Sequence, residues 1–301
     1  MARVSPPSER GKRKSLIANP ASALAETHHR TAKPEPNAAP HGGAADQSEA
    51  RLDSNMYRTI EQQWISLLDS ARYRRFVRGT VGQKVFRSQT YRRLILAKNY
   101  VISSYARLRY PTVFEGVETF CLFIGHNKSG TSMLGSLLDA HPDVILADEV
   151  QAVEYVSAGF GRDQIFHVLL RGSRREYLKG RVTARRLTPY SYLVPGQWQG
   201  RYRALRVIGD GAAGSTTRRF ATEPELLPRL RKLMGKINVK FIQVVRNPYD
   251  PISVAMVRGK RSFENALEQY FANCETLVEL RGQLDDSSLF AVRYEEFVGQ
   301  P

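Results

Sequence analysis

Between Cys121 and His141 the chain reads Cys-Leu-Phe-Ile-Gly-His-Asn-Lys-Ser-Gly-Thr-Ser-Met-Leu-Gly-Ser-Leu-Leu-Asp-Ala-His. Four groups within five residues, Lys128, Ser129, Thr131 and Ser132, donate hydrogen bonds and suit an anion. The chemistry they imply is capture of a phosphate or a sulfate. Three elements must position them. The apolar run Cys121–Ile124 predicts a buried strand, Gly125 to Ser132 a tight loop, and Met133, Leu134, Leu137 and Leu138 a helix. The first amides of that helix lack partners within it, and its dipole adds partial positive charge where the loop ends.

Gly125 and Gly130 have the spacing of a Walker A loop, but Thr131 follows the second glycine and the lysine lies inside the loop at 128. This disfavours a nucleoside-triphosphate hydrolase or kinase and leaves it as an alternative, with Asp210 as its candidate Walker B acid. A second anion site is expected after the strongest strand, Val239–Val245. There Arg246 stands at a carboxyl end, where open α/β sheets bind ligands. Asp250 followed by Pro251 predicts a helix start with Asp250 as its cap.

Further strands are predicted at Val144–Leu146, Leu205–Ile208 and Leu289–Arg293, with a helix over Glu264–Leu280 and a helical, basic insertion over 150–192. Strands alternating with helices predict an α/β fold of three layers, a mainly parallel sheet flanked by helices. Residues 1–55, rich in Pro, Ala, Ser and Gly without apolar periodicity, read as a disordered basic tail. Residues 56–115 read as a basic helical arm of two helices punctuated by Gly79 and Gly82, and 116–301 as the α/β domain.

The formal charge of +16 is concentrated. Arg72 to Arg109 holds eleven Lys/Arg and no acid, and Arg171 to Arg206 ten against Glu176 alone. Such fields attract anions: a nucleotide, an acidic glycan or an anionic lipid surface touched through 72–109. No helix-turn-helix, zinc-finger or RNP pattern accompanies them, so no specific nucleic acid is expected. Two cysteines, Cys121 and Cys274, predict a reducing compartment without disulfides. With no signal peptide and no long apolar run, the expected location is cytoplasmic, with the membrane periphery as second reading.

Together these motifs resemble the P-loop-like sulfotransferase family that uses 3′-phosphoadenosine 5′-phosphosulfate (PAPS). The loop Gly125-His-Asn-Lys-Ser-Gly-Thr-Ser, with His141-Pro-Asp after its helix, is similar to the 5′-phosphosulfate loop. Val245-Arg-Asn-Pro-Tyr-Asp, with Ser253 behind it, is similar to the 3′-phosphate motif, and Val292-Arg-Tyr-Glu-Glu-Phe-Val to a later strand end. The match covers roughly residues 118–301, with the two phosphate motifs roughly 115 residues apart.

The resemblance implies sulfuryl transfer to a hydroxyl or amine of a small-molecule, glycan or lipid acceptor, with PAPS as co-substrate and no metal. It places Asn127, Lys128, Ser129, Gly130, Thr131 and Ser132 around the phosphosulfate, and Arg246 and Ser253 on the 3′-phosphate. Ser253 comes seven residues after Arg246, one fewer than the family spacing, which turns a helix by about 100°. Lys128 and Glu149 are the expected catalytic groups, the latter as base, with Asp148 and Glu154 as neighbouring acids. His126 and His167 are expected to be structural. Two departures stand out: Gly211 replaces a common lysine, and relatives continue past the Tyr-Glu-Glu element, so a C-terminally truncated member is expected, its binding of anionic surfaces being the non-catalytic alternative.

Overall fold

A computed structural model describes residues 88–181 and 191–299. The tail 1–55, the first predicted helix of the arm with Gly79 and Gly82, and the basic residues 182–190 lie outside these. The described chain runs α1 (Gln89–Arg109), β1 (Thr119–Gly125), α2 (Thr131–Leu138), β2 (Val144–Ala147), α3 (Ala152–Ser157), α4 (Arg162–Leu178), β3 (Val207–Asp210), α5 (Ala213–Thr222), α6 (Leu226–Met234), β4 (Asn238–Val245), α7 (Tyr249–Gly259), α8 (Phe263–Gln283), β5 (Leu289–Arg293) and α9 (Tyr294–Gly299).

The five strands form one sheet in the order β2-β3-β1-β4-β5. Every neighbouring pair is parallel. The fold is α/β, as the alternation of elements predicts. Parallel strands require crossover helices, and these bury both faces of the sheet. β1 shows the consequence. Phe120, Leu122 and Ile124 enter one core with Phe166, Ile208 and Phe241, while Cys121 and Phe123 enter the other with Leu134 and Val244. Period-two alternation on a strand buried on both faces produces the unbroken apolar run of the sequence.

β1 lies at the centre, and the chain leaves it first toward β2 on one side and later joins it with β4 on the other. That reversal opens a crevice at the carboxyl edge of the sheet. All strands being parallel, the segments following each of them reach this same edge. β3 begins two residues later than the predicted Leu205, because the carbonyl of Arg206 is taken by the amides of Glu118 (2.9 Å) and Thr119 (3.1 Å). The shift makes Asp210 the last residue of the strand.

The described part of the basic arm is docked on the domain. α1 buries Asn99, Ser103 and Ala106. Asn99 donates to the Tyr155 hydroxyl (2.7 Å) and accepts from Arg171 (2.5 Å), and Arg92 pairs with Glu154.

Candidate active site

The loop after β1 is shaped by three left-handed residues, Gly125 (φ 126°), Lys128 (φ 71°) and Gly130 (φ 95°). Its entry is clamped from α5: the amide of Gly125 donates to Thr217 Oγ1 (2.8 Å), and the Thr217 hydroxyl lies against the carbonyls of Gly125 and Ala213. Ser129, 1% exposed, donates to the carbonyl of His126 (3.0 Å) and ties the loop to itself. Among the described residues, the amides of Ser129, Gly130, Thr131 and Ser132 enter no backbone hydrogen bond. These partner-free donors lie at the start of α2, beside the exposed Lys128, the arrangement that suits an anion. Gly130 caps α2 and could carry no side chain even apart from its φ, since a Cβ there would run into the ring of Tyr294.

Tyr294 begins α9 after β5, and the guanidinium of Arg246 lies over its ring, 4.3 Å from the centroid. Arg246 Nη1 donates to the carbonyl of Lys128 (3.0 Å), Nη2 pairs with Asp250 (2.6 Å), and the buried Nε has no hydrogen-bond partner. Arg246 thus reaches the Lys128 loop directly. Asp250 does not cap α7. Pro248 occupies that position, the amide of Tyr249 is satisfied by Asn247 Oδ1 (3.1 Å), and the Asp250 carboxylate is engaged by Arg246. Ser253 is exposed in the second turn of α7. Asn127 is also exposed, and its side chain lies so close to Gly214 of α5 that any Cβ there would meet its amide. Of the residues read as ligands, Lys128 through Ser132 and Arg246 converge; Asn127 packs toward α5, and Ser253 has no bond to either Arg246 or the loop.

The acids sort differently from the sequence expectation. Glu149 is exposed, in a left-handed conformation (φ 53°), while the preceding Asp148 is more enclosed and lies near Ser132. The Asp148 carboxyl is pushed up to about 6, chiefly by burial and secondarily by the charge of Glu149, with Ser132 near enough to offset part of this. Asp148 Oδ1 is buried without a partner. Asp210 explains how this turn is held. Fully buried, it accepts the amides of Val150 (3.1 Å) and Ala152 (2.7 Å), and burial raises its carboxyl to about 7. Both its oxygens are used as the cap of α3, which removes the basis for the Walker B reading. Gly211, next along, leaves the space beside Asp148 open. Asp148 appears in the sequence only as a neighbour of Glu149; its sole local signal is being the first residue beyond β2.

His126 stacks on Tyr270 of α8 (4.0 Å between centroids, 10° between planes), with Cys274 Sγ 3.6 Å from Nε2. Burial lowers its imidazole to about 4, so it is neutral near pH 7 and braces the loop as an aromatic wedge. His167 packs edge-on against Phe114 and is likewise lowered to about 4 by burial. Among the described residues no cluster of His, Cys, Asp and Glu has the makings of a metal site.

The model of the Sulfotransferase family (Sulfotransfer_3) matches residues 122–301, from the middle of β1 through the cradle, Arg246 and Tyr294. The chain belongs to the sulfotransferase family. Solved structures of sulfotransferases resemble it distantly. The sulfotransferase domain from the curacin biosynthetic pathway is 15% identical, covering 62% of this chain and 70% of that one, with a TM-score of 0.39. The corresponding domain of the Synechococcus PCC 7002 olefin synthase is also 15% identical, with coverages of 62% and 70% and a TM-score of 0.38. A sulfotransferase from Mycobacterium avium is 13% identical, with coverages of 88% and 82% and a TM-score of 0.37. No curated protein matches the chain in sequence. In this sulfotransferase the family's matched region begins inside the central strand, so α1 and everything before it fall outside the match.

Proposed function

We propose that this sulfotransferase moves a sulfuryl group from PAPS to a hydroxyl, or an amine, of an acceptor. The observation that carries the reading is the direct link between two anion sites, Arg246 Nη1 to the Lys128 carbonyl at 3.0 Å. One ligand with a phosphosulfate at one end and a phosphate at the other engages both. The partner-free amides 129–132 and the Lys128 ammonium hold the 5′-phosphosulfate. Arg246, whose planar fork suits a phosphate, holds the 3′-phosphate, which must displace or share the Asp250 contact.

In the reaction the acceptor oxygen attacks sulfur in line as the bond from sulfur to the 5′-phosphate oxygen breaks. Charge grows on the leaving phosphate, and Lys128 with the loop amides is placed to stabilise it. The acceptor proton passes to a base, and Asp148, half-buried beside Ser132, is the candidate for that role rather than Glu149. The acceptor is proposed to be anionic. Arg218 on α5, partly shielded from solvent, has Arg261 close enough for the two charges to repel, and among the described residues neither enters an ion pair. Such a pair is relieved by an incoming anion.

Calorimetry with the desulfonated product PAP tests the donor site. Binding without metal is expected, weakened about 100-fold in Arg246→Ala, in line with the loss of a charge-assisted bidentate contact. ATP binding that requires Mg²⁺, with no binding of PAP, overturns the reading in favour of a kinase. With PAPS and an accepted substrate, Lys128→Ala is expected to lower kcat about 10²-fold. Unchanged turnover in that variant means the loop has been given the wrong task.

A further inference from the structure

α1 has a second face that the domain does not use. Opposite the buried Asn99, Ser103 and Ala106, the side chains of Leu94, Val101, Tyr105 and Leu108 are 63%, 67%, 59% and 76% exposed. Their spacing sets them within about 60° of one another around the helix, so they form one stripe along its length. Isolated exposed apolar residues are ordinary; four aligned on one helix are a patch that needs a cover.

Charge indicates the nature of that cover. α1 contains no Asp or Glu. Arg93, Lys98, Arg107 and Arg109 are all exposed and stand on either side of the stripe. Beyond Lys98, Arg171 and Arg175 of α4 add further positive charge, felt by Lys98 after the effect of its own partial burial. Arg92 alone is spent on an acid, Glu154. An apolar stripe with basic flanks is the pattern of a helix lying in a membrane interface, with the long cationic side chains reaching the headgroups. A second copy joined through the same stripe would set these cations against each other with no acid to answer them. No helix of the described residues is long and apolar enough to cross a bilayer, so the contact lies along the surface.

We propose that α1 seats this protein on an anionic lipid surface, with Leu94, Val101, Tyr105 and Leu108 entering the boundary between headgroups and acyl chains. The proposal stands independently of the sulfuryl-transfer reading.

Sedimentation of the full chain with phosphatidylcholine vesicles, with and without about 30 mol % phosphatidylserine, tests it. Binding is expected only to the anionic vesicles and should weaken with salt. The triple variant Leu94→Ser/Val101→Ser/Leu108→Ser keeps every charge and should lower the partition coefficient about tenfold or more, with an unchanged thermal melt. If the triple variant binds like the wild type, charge elsewhere holds the protein and the stripe is not the anchor. Absence of wild-type binding to anionic vesicles overturns the proposal. So does a dimer, seen in sedimentation velocity and dissolved by the triple variant, without vesicle binding.

Discussion

Asp148→Asn is expected to lower sulfuryl transfer about 10²- to 10⁴-fold, the range typical of a lost general base. Asparagine keeps the volume of the side chain, so the fold and the affinity for PAP should persist. The second signature is the pH profile. Burial raises the Asp148 carboxyl from 3.8 to about 6. Below about 6 the group is protonated and cannot accept the acceptor proton. Above it the carboxylate is available, so kcat/KM should rise through this pH and then level. In Asp148→Asn that limb should disappear, whereas Glu149→Gln should retain it with near-wild-type turnover, Glu149 being exposed. An acid limb surviving in Asp148→Asn, or lost in Glu149→Gln, would return the role to Glu149.

Asp139→Ala should be among the most destabilising single substitutions, costing about 3–5 kcal/mol. Asp139 is 0% exposed and binds the amides of Leu146 (2.6 Å) and Gly200 (3.0 Å), the Ser173 hydroxyl and the guanidinium of Arg181. Arg181, itself 5% exposed, reaches on to Ser136 (2.9 Å). One carboxylate therefore joins the end of α2, strand β2, helix α4 and the turn at Gly200. Removing it strands a buried cation and several donors at once, which costs far more than a surface ion pair is worth. Urea unfolding monitored by circular dichroism provides the measurement. If the midpoint moves by less than about 1 kcal/mol equivalent, the network is not what holds β2 in place. The double variant Asp139→Ala/Arg181→Met should recover part of the loss, because the unpaired charge goes with its partner.

The two predictions are connected, since Asp148 directly follows β2, the strand that the Asp139 network holds in place. Neither residue announces its task in the chain. Asp139 reads as an ordinary C-terminal helix residue before His141-Pro-Asp, and Asp148 as one of two adjacent acids. Tyr294 appears only as part of a strand-end motif, yet its ring fills the space against Gly130 and supports Arg246. Thr217, which clamps the loop entry from 92 residues away, has no sequence signal. The helix cap expected at Asp250 fails for the same reason: a better partner, Arg246, is supplied by the strand before it.

Local physics was enough for the cradle and for the α/β architecture. Apolar runs of strand length, glycines where the backbone must turn left-handed, and donors at a helix start act through neighbouring residues, so the loop from Lys128 to Ser132 and the strand end at Arg246 were readable in the chain itself. Which acid meets the cradle was decided only by the tertiary structure. That choice depends on the pairing of β2 with β3, which places Asp210 beneath the turn at 150–152, and on hydrogen bonds from amides to Asp210 spanning 58 and 60 residues. Burial, which raises the Asp148 carboxyl to about 6, exists only once those distant segments have packed together.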